Sequence, residues 1–268
     1  AASAAAAASA NTPNSTSTDG SGANKLSSRP ERKVTYFTAV LTDALGRRTY
    51  CVCAHFFRRS RAATNLYLAT VVCILSHYPF ITIFRNVLRE CLRMTGKPVT
   101  SSQPCAEQLV VMLTQEIPLP VPGGPVVRFS VGKTKFDCFL PDHDEFPLLN
   151  FSLKTLFRCL SVEAVVSVIA AILTEQKLIF SSSSLSDLTL ITDSLLALIF
   201  PFRWYHVYIP VLPAPLIDIC DAPVPYIVGM HSSQLKYLGN YSLAVSVLVD
   251  LDRGKLSRGD ECEAMRMP

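Results

Sequence analysis

The sequence predicts an α/β protein in two parts, a small β-rich α+β unit upstream and an alternating helix–strand unit downstream. Two observations carry that prediction. Long β-rich runs joined by a tight-turn signal come first, and strands joined that way form an antiparallel sheet. Further along, apolar helices alternate with short apolar strands, a pattern that buries a mainly parallel sheet under helices on both faces.

Residues 1–33 are rich in Ala, Ser, Thr, Asn and Gly. Such a segment cannot bury enough apolar area to offset its ordering entropy, and it is expected to be disordered. β-rich runs at 34–42 (VTYFTAVLT) and 47–57 flank Asp43-Ala-Leu-Gly46, a hairpin signal. A third β-rich run spans 66–77. Beyond Pro79, Ile81, Phe84, Leu88 and Leu92 recur at helical spacing up to Gly96. A second short helix is expected at 105–115 and a strand at 126–131. The upstream unit is therefore set at 34–131. Residues 132–150 are rich in Pro and acidic groups and read as a connector, because Pro interrupts ladder bonding.

The second unit spans 151–268. A helix is expected over 162–175, with Val162, Val165, Val166, Ile169 and Leu173 on one face and Val168 and Ile172 widening it, which implies deep burial. KLIFS at 177–181 reads as a buried strand, and Ser184-x-x-Asp187 as the N-cap of a helix running to Phe200. Strands are expected at 206–212, 226–229 and 244–250, with a short helical segment at 214–221.

Composition narrows the function. Hydrophobic residues make up 49% and charged residues 17%, which describes a globular chain. A net charge of +4, without a basic run of five, gives no nucleic-acid footprint. The opening AASAAAAASA is too weakly apolar for a signal peptide, and no stretch reaches about 18 apolar residues. The nine cysteines lack regular spacing; Cys51-x-Cys53 has no partner pair at zinc spacing, and reduced thiols in a cytosolic protein are the expectation. No metal and no cofactor is implied.

Chemistry-bearing motifs fail on inspection. Gly132-Lys133-Thr134 has Val127 where a phosphate loop needs Gly, so it reads as a turn. Ser181–Ser184 lies in no nucleophile elbow, and the acidic cluster Asp142, Asp144 and Glu145 does not follow calcium spacing. The residues describe a binding protein and not its partner.

From Phe151 onward the chain resembles the central segment of DENN domains. The residues carrying the resemblance are Glu175-Gln-Lys177 with IFSSSS, Pro201-Phe-Arg-Trp204, HVYIPVLP at 206–213, APVPYIVGMH at 222–231 and VDLD at 249–252. FTAVLTDALG at 37–46, Tyr50, ILSHYPF at 74–80 and EIPLPVPGG at 116–124 are similar to the upstream DENN segment. The resemblance implies a longin-like lobe at about 34–131 and a flavodoxin-like lobe from about 150. It also implies an exchange factor that holds a Rab-family small GTPase between the lobes and promotes GDP release. No covalent chemistry, small-molecule substrate or direct membrane insertion goes with that, and the location implied is cytoplasmic, with peripheral recruitment to vesicle or organelle membranes. Two departures stand out: the strand that opens the upstream segment is not visible, and the sequence stops at Pro268 before a helical downstream segment.

Asp43, Glu175 and Arg203 are the candidate partner-binding residues, near the face between the lobes. Trp204 reads first as a packing residue. The rival function is a DENN-like scaffold that binds a small GTPase without exchange, or one that accelerates hydrolysis. For the latter, Arg47, Arg48, Arg58 and Arg59 are the candidate arginine fingers from loops.

Overall fold

A computed structural model describes residues 34–259, apart from 44–45, 60–66, 96–105 and 143. The expected disordered tail, 1–33, lies outside the described residues. Strands β1 (Thr35–Thr42), β2 (Arg48–Arg59) and β3 (Tyr67–Ser76) form an antiparallel sheet in that order. The hairpin between β1 and β2 closes where Gly46 N–H donates to the Asp43 carbonyl at 3.0 Å, with Gly46 at φ 75°. That backbone region favours glycine, which is why the tight turn falls here. Val52 and Ala54 of β2 bury against Leu88 of helix α1 (Ile81–Thr95), while the alternate residues Cys51 and Cys53 point to the other face. The first turn of α1 is capped from afar: Ile83 N–H donates to Asn150 Oδ1 at 3.0 Å.

Helix α2 (Ala106–Val111) runs into a π-helical turn, Met112–Glu116, so the expected second helix is present in two geometries. Strand β4 (Val127–Val131) turns back at once into β5 (Thr134–Cys138), with Gly132 at φ 59° between them. Gly132 and Lys133 are therefore the hairpin turn, and Thr134 opens β5. β5 was not expected in the Pro-rich stretch; its alternation of Lys135 and Asp137 with Phe136 and Cys138 is only five residues long. Phe136, Cys138 and Leu140 share a core with Phe80, Ile83 and Val87 of the α1 region.

The second sheet has the order β10-β9-β6-β8-β7 and is mixed. Strands β6 (Lys177–Ser182), β7 (Val207–Ile209), β8 (Tyr226–His231) and β9 (Ser246–Asp250) pair in parallel, and β10 (Lys255–Arg258) joins β9 antiparallel. Between them lie α3 (Lys154–Cys159), α4 (Val162–Leu173), α5 (Leu185–Leu198), α6 (Asn240–Ala244) and two 3-10 segments, Ala214–Asp221 and Ser232–Tyr237. The 3-10 segments cover one side of the sheet, where Ile179, Cys220, Tyr226, Val228 and Met230 are buried.

Two expectations are corrected here. Helix α4 is not deeply buried on the expected face: Val165, Val168, Ala171 and Ile172 face the core, while Val162 and Val166 are each 60% exposed and Leu173 is also exposed. The helix is apolar almost all round, so periodicity cannot select the buried side. Ser184 does sit at the N-cap position of α5, but its side chain makes no capping bond. Instead its N–H donates to Ser182 Oγ at 3.0 Å, and Asp187 pairs with Arg158 at 3.3 Å. The serine run is held by Asp252, which accepts from Ser182 Oγ at 3.0 Å and from Ser183 N–H at 2.8 Å. Those hydroxyls are structural.

Helix α5 positions the site. Leu188, Thr189, Ile191, Thr192, Asp193, Ser194, Leu195 and Ala197 are all buried, because α5 packs against β1 of the first sheet as well as β6 and β8 of the second. Thr189 Oγ1 donates to the Thr38 carbonyl of β1 at 2.5 Å, tying the helix to the first sheet. No helix among the described residues is long and apolar enough to cross a membrane.

Candidate partner-binding site

Where β1 and the start of β2 meet β7, the two sheets join along a polar seam. Thr42 Oγ1 donates to the Tyr208 carbonyl at 3.3 Å, and Arg48 Nη2 donates to the Trp204 carbonyl at 3.2 Å. The Arg48 guanidinium also lies over the Tyr208 ring, 4.6 Å from its centre. Such a contact contributes about 0.5–2 kcal/mol, more as water is excluded. Arg48 is therefore a structural clamp rather than a free arginine finger. Arg47 pairs with Asp43 at 2.7 Å, and Arg58 and Arg59 end strand β2 instead of occupying a loop.

Beneath the clamp lies a buried acid. Tyr208 Oη donates to Asp193 Oδ1 at 2.5 Å and lies 2.9 Å from Thr192 Oγ1. Asp193 Oδ2 has no hydrogen-bond partner among the described residues. Burial outweighs the Tyr208 hydrogen bond and the Arg48 charge, and it pushes the Asp193 carboxyl up to about 6. The Tyr208 and Tyr50 hydroxyls are pushed above the usual tyrosine range, first by burial and then by the nearby Asp193 charge. None of these residues was singled out from sequence for this role. The available signal was the set Thr189, Thr192, Asp193 and Ser194 in an otherwise apolar helix, since polar groups on a buried helix require partners.

The three candidates from sequence all fall along this seam. Asp43 directly follows Thr42 at the hairpin and carries the exposed ion pair with Arg47. Arg203 is exposed and adjoins Trp204, which is buried and donates Nε1–H to the Val207 carbonyl at 3.2 Å. Glu175 meets His206 at 3.1 Å, and the His206 ring packs edge-on against Trp204 with centres 5.0 Å apart. The backbone at Glu175 is unusual. Helix α4 ends with Glu175 N–H donating to the Ile172 carbonyl and Gln176 N–H to the Ala171 carbonyl, a closing turn whose left-handed position normally holds Gly. Glu175 occupies it at φ 53°. A left-handed non-glycine residue costs of order 1 kcal/mol.

Beside the seam the surface carries exposed aromatics. Phe202 is 67% exposed and Tyr205 78% exposed on either side of Arg203 and Trp204. Exposed aromatics beside Arg are the residue types that anchor protein interfaces. The described residues hold no group of three His, Cys, Asp or Glu side chains arranged for a metal ion.

Comparison with known proteins identifies the family. Residues 67–254 match the DENN (AEX-3) domain family. The DENN domain and WD repeat-containing protein SCD1 of Arabidopsis thaliana is 30% identical over 251 residues, covering 91% of this chain and 21% of that protein. DENN domain-containing protein 1C of Mus musculus is 30% identical over 253 residues, 85% of this chain and 30% of the relative. DENN domain-containing protein 1A of Xenopus laevis is 33% identical over 222 residues, 82% of this chain and 20% of the relative. The chain thus spans between a fifth and a third of the length of these relatives. A family match over most of the chain, in agreement with relatives from plants and vertebrates, places this protein in the DENN domain family.

Proposed function

We propose that this chain is the part of a guanine-nucleotide exchange factor that binds a Rab-family small GTPase and promotes release of its GDP. In this reading a longin-like lobe (34–131) and a flavodoxin-like lobe (151–268) are joined through 132–150, whose strand β5 packs into the core of the first lobe, and the GTPase docks along the seam where they meet. The observation that carries the reading is the exposed Phe202–Arg203–Tyr205 patch on a seam held together by Arg48, Tyr208 and Asp193, in a chain of the DENN family. Exchange breaks no covalent bond. It needs only tighter binding of the nucleotide-free GTPase than of the loaded forms, and a thousandfold acceleration corresponds to about 4 kcal/mol of that difference. Asp43, Glu175 and Arg203 are the proposed contact residues, and the protein is proposed to act from the cytoplasm on vesicle or organelle membranes through its partner.

The test is GDP release from a panel of Rab proteins carrying a fluorescent nucleotide. Acceleration for one or two members is expected, falling at least about tenfold in an Arg203→Ala/Tyr205→Ala double variant, as for loss of interface anchors. Binding without acceleration would support the scaffold reading instead. Absence of binding to every member would overturn the assignment of partner.

A further inference from the structure

The face of the first sheet turned away from α1 brings together three thiols that are scattered in the sequence. Cys51 and Cys53 lie two residues apart on β2 and point to the same side, with their sulfurs 3.5 Å apart. Cys73 of β3 stands directly opposite Cys53 in the antiparallel register. Its thiol is within hydrogen-bonding reach of both. On the same face Leu41, Phe57 and Val71 are exposed by 57%, 43% and 38%, so solvent reaches this side of the sheet among the described residues. Cys51 and Cys73 are half-buried and Cys53 is buried.

The environment divides their roles. The hydrogen bond from Cys53 outweighs burial and lowers the Cys51 thiol to about 7, giving a substantial thiolate fraction near neutral pH. Burial pushes Cys73 up to about 11, and the bond to Cys51 pushes Cys53 higher still. Burial likewise pushes Cys138 and Cys220 up to about 11. One ionised thiol flanked by two protonated ones is the arrangement of an attacking sulfur with its resolving partners.

We infer that Cys51, Cys53 and Cys73 form a hydroperoxide-sensitive thiol relay whose end product is a Cys53–Cys73 disulfide linking β2 to β3. Directly opposed residues in antiparallel strands have Cα atoms about 4.5–5.5 Å apart, inside the disulfide range of about 4.4–6.8 Å. Residues two apart on one strand lie at about 6.6–6.8 Å, at its upper limit, so a Cys51–Cys53 bridge is a strained intermediate. In the first step the Cys51 thiolate attacks the peroxide O–O bond, forming the sulfenic acid and, after protonation, water. Cys53 then attacks the Cys51 sulfur, its thiol proton leaving with the hydroxyl as a second water and closing the Cys51–Cys53 disulfide. Cys73 then gives up its thiol proton, attacks Cys53 Sγ and expels the Cys51 thiolate, returning the proton taken up in the first step. In sum, two thiols and one hydrogen peroxide give one disulfide and two waters.

The experiment treats the fully reduced chain with one equivalent of hydrogen peroxide, then alkylates the free thiols and maps the peptides by mass spectrometry. The expected result is loss of two hydrogens, one linked peptide pair containing Cys53 and Cys73, and Cys51 recovered alkylated. The rate in the unaltered protein rises with pH to a midpoint near the Cys51 value of about 7. Cys51→Ser slows linkage by about tenfold or more, the ratio expected when the thiolate is lost from the pathway. Cys73→Ser stops the sequence at the Cys51–Cys53 bridge. Linkage elsewhere, no linkage, a rate unaffected by Cys51→Ser, or a rate midpoint at the ordinary thiol value would each overturn the inference. The pH profile requires no variant and holds even if a substitution fails to fold.

Discussion

Replacing Asp193 with Asn removes a charge from the centre of the seam. The carboxyl is fully buried, faces Tyr208, Tyr50 and Arg48, and is pushed from 3.8 to about 6. A shift of that size corresponds to roughly 3 kcal/mol of ionisation penalty at neutral pH. Between 3.8 and about 6 the folded state binds more protons at this group than the unfolded state does. The stability contribution is therefore fully present below 3.8, is lost as pH rises toward 6, and is level above it. Linkage with these two values gives a loss of about 1 kcal/mol between pH 5 and pH 7. Asn can still accept from Tyr208 but leaves a new amide N–H at the unpartnered Oδ2 position, which costs about 1–3 kcal/mol. The net change at pH 7 is thus small, while at pH 5 the variant is weaker than the parent by about 1 kcal/mol more. Urea unfolding of both proteins at pH 5, 6 and 7 measures the difference, and titrations common to both cancel. An Asp193→Asn difference that is the same at pH 5 and pH 7 would refute the claim that burial controls this carboxyl.

Three further substitutions probe the frame around it. Arg48→Ala removes both the stack on Tyr208 and the bond to the Trp204 carbonyl; unfolding should show a loss of about 1–3 kcal/mol, only partly restored by Lys. Gly229→Ala places a methyl group against the Pro210 carbonyl, where β8 passes close to the end of β7; the rigid backbone cannot yield, and a loss of about 3 kcal/mol or more in denaturant unfolding is expected. Glu175→Gly relieves the left-handed backbone and gives up only a largely exposed contact with His206; a gain of about 0.5–1 kcal/mol in stability is expected, with weaker GTPase binding if the side chain is a contact.

Much of the local structure was legible because it depends on neighbours in sequence. The β1–β2 hairpin followed from Asp43–Gly46, the start of α1 from the apolar spacing after Pro79, and the end of α5 from Pro201. Strand β5 and helix α3 escaped notice because five or six residues give too few repeats to establish a period. The buried face of α4 and the anchoring of Ser182 and Ser183 to Asp252 were likewise invisible, since each depends on a segment distant in the chain.

Sequence alone determined the α/β class, the order of most elements and, through its motifs, the family. It could do so because alternation, helical spacing and turn residues act over a few positions. Only the tertiary structure decided that α5 would lie between two sheets and that Arg48, Tyr208 and Asp193 would meet across 160 residues at its flank. It also decided that Cys73 would complete the cluster begun by Cys51 and Cys53. Those meetings depend on which surfaces pack, and packing is settled by the burial of all the elements together rather than by any run of residues.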